Sequence, residues 1–82
     1  MKRLAQYEAV RVRKIRYPDD DYDGWKVNKR KPQAGDTGIL IDILNAANLP
    51  PRYVVESSGD DGVTIFLSEF DEDEIEPIKN EE

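Results

Sequence analysis

The chain has 82 residues, which is room for one domain and one core, and a formal net charge of −6. It contains no cysteine and no histidine, which excludes disulfides, thiolate zinc sites, imidazole haem ligation and the Ser-His, Cys-His and histidine-based nuclease mechanisms. A chain this short buries only about 60% of its unfolded surface, so the fold must use its apolar residues economically.

The charge is unevenly spread. Residues 1–35 carry +5 and residues 36–82 carry −11. An acidic second half repels phosphates and disfavours nucleic acid as the main ligand; it favours a basic partner, or serves solubility alone. Lys2 and Arg3 begin the chain like a signal peptide, but Gln6, Glu8 and Arg11 interrupt any apolar region. No stretch approaches the roughly 20 apolar residues of a membrane span. With no cysteine as well, the reading is a soluble cytoplasmic protein, a monomer or weak dimer.

In chain order, YEAVRVRKIR (7–16) alternates. It predicts a strand with Val10 and Val12 on one face and Arg11, Arg13 and Ile15 on the other. Residues 17–35 read as a long loop punctuated by Pro18, Gly24, Pro32 and Gly35. Within it, DDDYDG (19–24) places Asp19, Asp21, Asp23 and Gly24 at the spacing that opens an EF-hand loop. Completion requires an apolar residue at position eight and a glutamate at twelve, where Lys26 and Arg30 stand. The favoured reading is an acidic loop tip paired with Lys26, Lys29, Arg30 and Lys31, with no bound metal. Trp25, the single tryptophan, is expected to fold back over one end of the core; the alternative is a partner-facing anchor with Tyr17 and Tyr22 beside it.

GDTGILIDIL (35–44) predicts a turn between Gly35 and Gly38, then a strand with Ile39, Ile41 and Ile43 facing the core and Asp42 facing water. NAANLPP (45–51) connects to a strand at 52–57. SGDDG (58–62) is a hairpin loop. VTIFL (63–67) puts Val63, Ile65 and Leu67 on one face. SEF (68–70) predicts a single helical or 3-10 turn capped by Ser68. EIEPI (74–78) is a short closing strand, with Pro77 at an edge or end. There is no internal repeat and no amphipathic helix.

These elements describe an all-β fold: a small five-stranded SH3-like barrel with a long first loop and a one-turn 3-10 helix before the last strand. The barrel occupies 7–78 of a single domain spanning 1–82, with 1–6 and 79–82 as frayed ends. GDTGILIDI, YVVES, GDDGVTIFL and EDEIEPI resemble small bacterial SH3-like proteins of the KOW kind, over 35–78 and loosely over 7–16. The resemblance implies the fold and leaves the activity open. Two kinds of functional relative suggest roles: some SH3-fold bacterial antirepressors carry an acidic surface that imitates DNA, and some small acidic proteins encoded beside toxins are immunity proteins.

Two functions follow. In the first, the chain is a non-catalytic module that binds a basic protein. Its contacts are Asp60, Asp61, Asp71, Glu72, Asp73, Glu74 and Glu76, with Trp25 or Phe66 as apolar anchor. In the second it is a KOW-like nucleic-acid- or ribosome-associated domain using Arg11, Arg13, Lys29, Arg30 and Lys31. The run DEDEIE (71–76) does not continue a calcium loop, because Ile75 takes the fifth position. No phosphate loop precedes a helix and no nucleophile constellation is present, so neither a cofactor nor catalysis is expected.

Overall fold

The computed structural model describes residues 4–78. Five strands form one antiparallel sheet: β1 (Ala9–Val12), β2 (Thr37–Leu44), β3 (Arg52–Ser58), β4 (Thr64–Phe70) and β5 (Ile75–Pro77). Their spatial order is β4-β3-β2-β1-β5. The sheet is not closed by hydrogen bonds between β4 and β5. Two single 3-10 turns interrupt it, at Asp19–Tyr22 and Glu72–Glu74, and no α-helix occurs among the described residues. Among the described residues no helix is long and apolar enough to cross a membrane.

One face of the sheet holds the core. Val10 and Val12 point inward from β1, Leu40 from β2, Tyr53 and Val55 from β3, Phe66 and Phe70 from β4, and Ile75 from β5. Phe70 and Ile75 lie on the two edge strands and still share this cluster, so the sheet curls around its own inner face.

β1 follows its sequence pattern, although regular pairing covers only Ala9–Val12 of the expected 7–16. β2 does not. Leu40 is fully buried, whereas Ile39 is exposed. Leu40 pairs with Val55 and Asp42 with Val54, leaving Ile41 as an extra residue between them. A bulge of this kind shifts the side-chain phase by one. Leu40 before it and Ile43 after it therefore both reach the core, three positions apart. The Gln6 side-chain amide donates to the Ile41 carbonyl at 2.8 Å. Leu4 packs on the core, so residues 4–6 are engaged rather than frayed; the expectation for 1–3 and 79–82 lies outside the described residues. Gly38 is required by close approach, because a Cβ there would stand 2.6 Å from the Glu56 carbonyl oxygen and 2.8 Å from Val55 Cγ1.

The hairpin forms at the expected loop, with Gly62 at φ +80°. β4 then runs on through Phe70, so SEF is strand and not a turn. Its buried residues are Phe66, Ser68 and Phe70; of the expected Val63, Ile65 and Leu67, Ile65 packs partly buried against the core, Leu67 is half-buried and Val63 is exposed. The pairing slips by one between Ser57–Phe66 and Ser58–Thr64, which again resets the phase. The 3-10 turn sits at Glu72–Glu74, one element later, directly before β5.

The long loop is built into the fold. Tyr22, on the first 3-10 turn, is buried to 1% exposure and stacks on Phe70 at 5.5 Å between ring centroids. Tyr22 therefore closes the core in the role expected of Trp25, which stays exposed. Further along, the Lys29 amide donates to the Ile65 carbonyl at 2.8 Å. The Leu67 amide donates to the Asn28 side-chain oxygen at 2.9 Å. The Asn28 amide nitrogen donates to the Tyr22 carbonyl at 2.8 Å and to Ser68 Oγ at 3.3 Å. The loop thus lies along the outer edge of β4.

Candidate functional site: a charged groove beside the second 3-10 turn

A groove of about 580 Å³ is lined by Arg13, Arg16, Tyr17, Pro50, Asp71, Glu72 and Asp73. Three chain segments make its walls. Arg13, Arg16 and Tyr17 follow β1, Pro50 lies near the end of the β2–β3 connection, and Asp71–Asp73 enter the turn before β5.

Asp71 organises one wall. Its carboxylate accepts from the Tyr17 hydroxyl and from Arg52, and Arg16 stands at 3.8 Å. Burial alone would raise this carboxyl; the hydrogen bonds from Tyr17 and Arg52, helped by the charges of Arg52 and Arg16, outweigh it and hold the group below its ordinary 3.8. Arg16 and Arg52 also lie over the Tyr17 ring, at 5.8 and 5.9 Å from its centroid. Asp73 pairs with Arg16 at 3.0 Å and with Lys14 at 3.7 Å.

Beneath the groove lies Glu74, which is fully buried. One oxygen accepts from the Asp71 amide at 2.8 Å, the return half of a capping box. The other accepts from the Arg16 amide at 3.2 Å and from the Tyr22 hydroxyl. A single buried carboxyl group therefore joins the turn, the strand exit and the long loop. Burial, then the hydrogen bond to Glu74, pushes the Tyr22 hydroxyl up to about 12.

The residues singled out in the sequence are not assembled as one face. Asp71, Glu72 and Asp73 line the groove. Glu76 faces Arg11 and Arg13 on the outer side of β1, at 3.3 and 3.8 Å. Asp60 and Asp61 sit at the hairpin tip, at the other end of β4 from Asp71. The seven residues of β4 span roughly 20 Å, so these two acids do not join the 71–76 run. Glu74 and Phe66 are both at 0% exposure and present nothing to a partner; alternation and the β4 slip turn Phe66 inward, and the capping geometry turns Glu74 inward. Trp25 is 44% exposed.

The basic candidates are mostly committed. Arg11 and Arg13 face Glu76, Arg30 forms a two-point pair with Asp36 at 2.8 and 3.0 Å, and Lys31 meets Asp19 at 3.3 Å. Lys29 has an exposed side chain outside these pairs. In DDDYDG, Asp19 is taken by Lys31, Tyr22 enters the core, and Asp23 accepts from the Asn28 amide at 3.2 Å. Among the described residues no group of three or more carboxylates is placed to hold a metal ion.

The sequence reading missed Glu74 as a buried hub, Asn28 as the loop anchor and Arg52 as the partner of Asp71. The signal for Glu74 was present, because D-x-x-E at Asp71–Glu74 fits an N-terminal cap followed by its return residue. Neither Asn28 nor Arg52 belongs to a local motif that marks it.

Asp71 and Asp36 both sit below the ordinary 3.8. For Asp36, burial raises the group, and the Arg30 pair and the Gln33 amide outweigh it. The folded state therefore holds these carboxylates ionised where the unfolded chain takes up protons. Their contribution is complete above about pH 5 and is lost as pH falls through 3.8 toward the folded values. Urea unfolding at a series of pH values should show stability declining below about pH 4, and Asp71→Asn should flatten that decline. An unchanged acid limb in the variant would show that Asp71 is not held as described.

No family model, curated protein or solved structure matches the chain. Function is therefore read from the geometry.

Proposed function

We propose that this chain is a cytoplasmic, non-catalytic interaction module on an SH3-like barrel that binds a basic protein. The contact surface is the groove rimmed by Glu72 and Asp73. The strand order, the long β1–β2 loop, the 3-10 turn before β5 and the core shared by both edge strands support the barrel reading.

One observation carries the choice of partner. Among the described residues, all five arginines lie in ion pairs with carboxylates: Arg11, Arg13, Arg16, Arg30 and Arg52. The exposed charge left outside these pairs is mainly negative, including Glu8, Asp20, Asp21, Asp42, Asp60 and Asp61, against Lys26 and Lys29. Such a surface steers a basic protein toward it and repels phosphate. The nucleic-acid reading would first have to strip Arg11, Arg13 and Arg30 of their carboxylates.

The groove suits exchange. Lys14–Asp73 and Arg16–Asp73 are surface pairs with side chains about half exposed, and such pairs contribute roughly 0–1 kcal/mol each. A partner's arginine or lysine can displace them at little cost, while Tyr17 and Pro50 offer apolar area. Occlusion of a basic surface in this way is the mode of an inhibitor, immunity protein or antirepressor.

The test is capture from lysate at low and high salt, with the wild type beside Glu72→Lys combined with Asp73→Lys. Asp71 is left intact because Arg52 and Tyr17 depend on it. The expected result is a basic protein retained at low salt, released at high salt and at least tenfold depleted by the double variant, whose circular dichroism is unchanged. Equal retention by the variant would sink the groove. Ribosomal or polymerase proteins that disappear after nuclease treatment would establish the nucleic-acid reading instead.

A further inference from the structure

The indole of Trp25 stands outside both the core and the groove. It occupies a tight turn in which the Lys26 amide donates to the Asp23 carbonyl at 3.1 Å, and Lys26 takes a left-handed φ of 61°. Both flanks of this turn are fixed. Tyr22 is buried on one side. On the other, Asn28 donates from its backbone to Asp23 Oδ1 at 3.2 Å and from its side chain to the Tyr22 carbonyl at 2.8 Å. The largest side chain in the protein is thus held out on a pinned turn at 44% exposure, with Val27 beside it at 48%. No ring contact or cation-π contact within the described residues involves Trp25.

Asp20 and Asp21 lie on the 3-10 turn immediately before, exposed and outside the ion pairs. A pre-ordered aromatic surface with two exposed acids on the preceding turn has a specific complement. A guanidinium is planar, stacks on an indole face and still donates in its plane to carboxylates. An ammonium is a compact, strongly hydrated charge that matches such a surface less well. Because the turn is already pinned, binding needs little further ordering of the chain.

We infer that Trp25, with Asp20 and Asp21, forms an arginine-recognition site for a basic protein segment, separate from the groove. The guanidinium lies on the indole and a neighbouring cation of the same segment meets the two carboxylates. This inference names the recognised group and rests on the Trp25 turn, whereas the groove reading rests on Glu72 and Asp73, so either can fail without the other.

The single tryptophan makes the test direct. The probe is a short arginine-glycine peptide, titrated against the whole protein with Trp25 emission and calorimetry read together. A lysine-glycine peptide of the same charge is the control. The expected result is a saturable change in Trp25 emission with the arginine peptide, several-fold tighter than with lysine. Asp20→Asn with Asp21→Asn should weaken it about tenfold, and Trp25→Ala should weaken the calorimetric binding similarly. Asp60→Asn with Asp61→Asn, and Glu72→Gln with Asp73→Asn, should leave the emission change in place. Equal weakening by all three acid pairs would reduce the effect to the net charge of the molecule and overturn the site. Binding without an emission change, no binding, or equal affinity for the lysine peptide would overturn it as well. Thermal melts of each variant identify any loss that comes from unfolding.

Discussion

Glu74→Gln is expected to lower the unfolding free energy by about 2–3 kcal/mol although the two side chains have nearly the same shape. The reason is the character of the partners. The Asp71 amide, the Arg16 amide and the Tyr22 hydroxyl all donate to this group. The Tyr22 hydroxyl is not free to reverse its role, because it already accepts from the Arg16 and Tyr17 amides, each at 3.1 Å. A glutamine presents one NH2 to this ring of donors, and one buried N–H is left facing another. Tyr22→Phe removes the donor to Glu74 and the acceptor of the Arg16 and Tyr17 amides, but Arg16 keeps Glu74 as its acceptor and both amides are only part-buried, so it is expected to cost less, about 1–2 kcal/mol. Urea denaturation of the two single variants and the double variant closes a cycle whose coupling term measures the shared bond. A glutamine variant as stable as the wild type would mean that Glu74 does not join the three segments.

Asn28→Ala should be comparably severe, about 2–3 kcal/mol. Four hydrogen bonds meet on this residue, and three use the side chain: to the Leu67 amide, the Tyr22 carbonyl and Ser68 Oγ. The loss is local in origin. Hydrogen exchange should show the Leu67 amide losing protection, while Val55, on the central strand β3, keeps it until global unfolding. If Leu67 stays protected in the variant, backbone contacts alone hold the loop to β4.

These two residues also show what a sequence can reveal about such a fold. β1, the hairpin at 58–62 and the closing strand with Pro77 at its end were legible, because alternation and turn chemistry are local signals. The inner faces of β2 and β4 were not. In each strand one extra residue shifts the phase, at Ile41 and near Ile65, and a bulge is set by how two strands meet rather than by either strand alone. Three isoleucines at alternate positions looked like a core face; the core took Leu40 in place of Ile39 and, beyond the bulge, kept Ile43. The candidate site divides the same way. The acidic run at 71–76 was visible in composition, but its neutralisation by Arg11, Arg13, Lys14, Arg16 and Arg52 depends on β1 pairing with β5 and on β3 beginning beside Asp71. Phe66 left the candidate surface for the same reason, its burial being a product of tertiary packing; Glu74 left it through the capping box, whose D-x-x-E pattern was present in the sequence.

The docked loop has a consequence for how other chains can meet this one. An open sheet normally offers unpaired N–H and C=O groups on its outer strands, a template for strand addition and fibril growth. Here Asn28 and Lys29 already take up groups on the outside of β4. At the opposite margin β5 is only three residues long and ends at Pro77, which has no N–H to give. Neither margin is an inviting template for a foreign strand. Contact with another protein is left to side chains, and the same packing that orders the long loop guards the molecule against polymerising with its own kind.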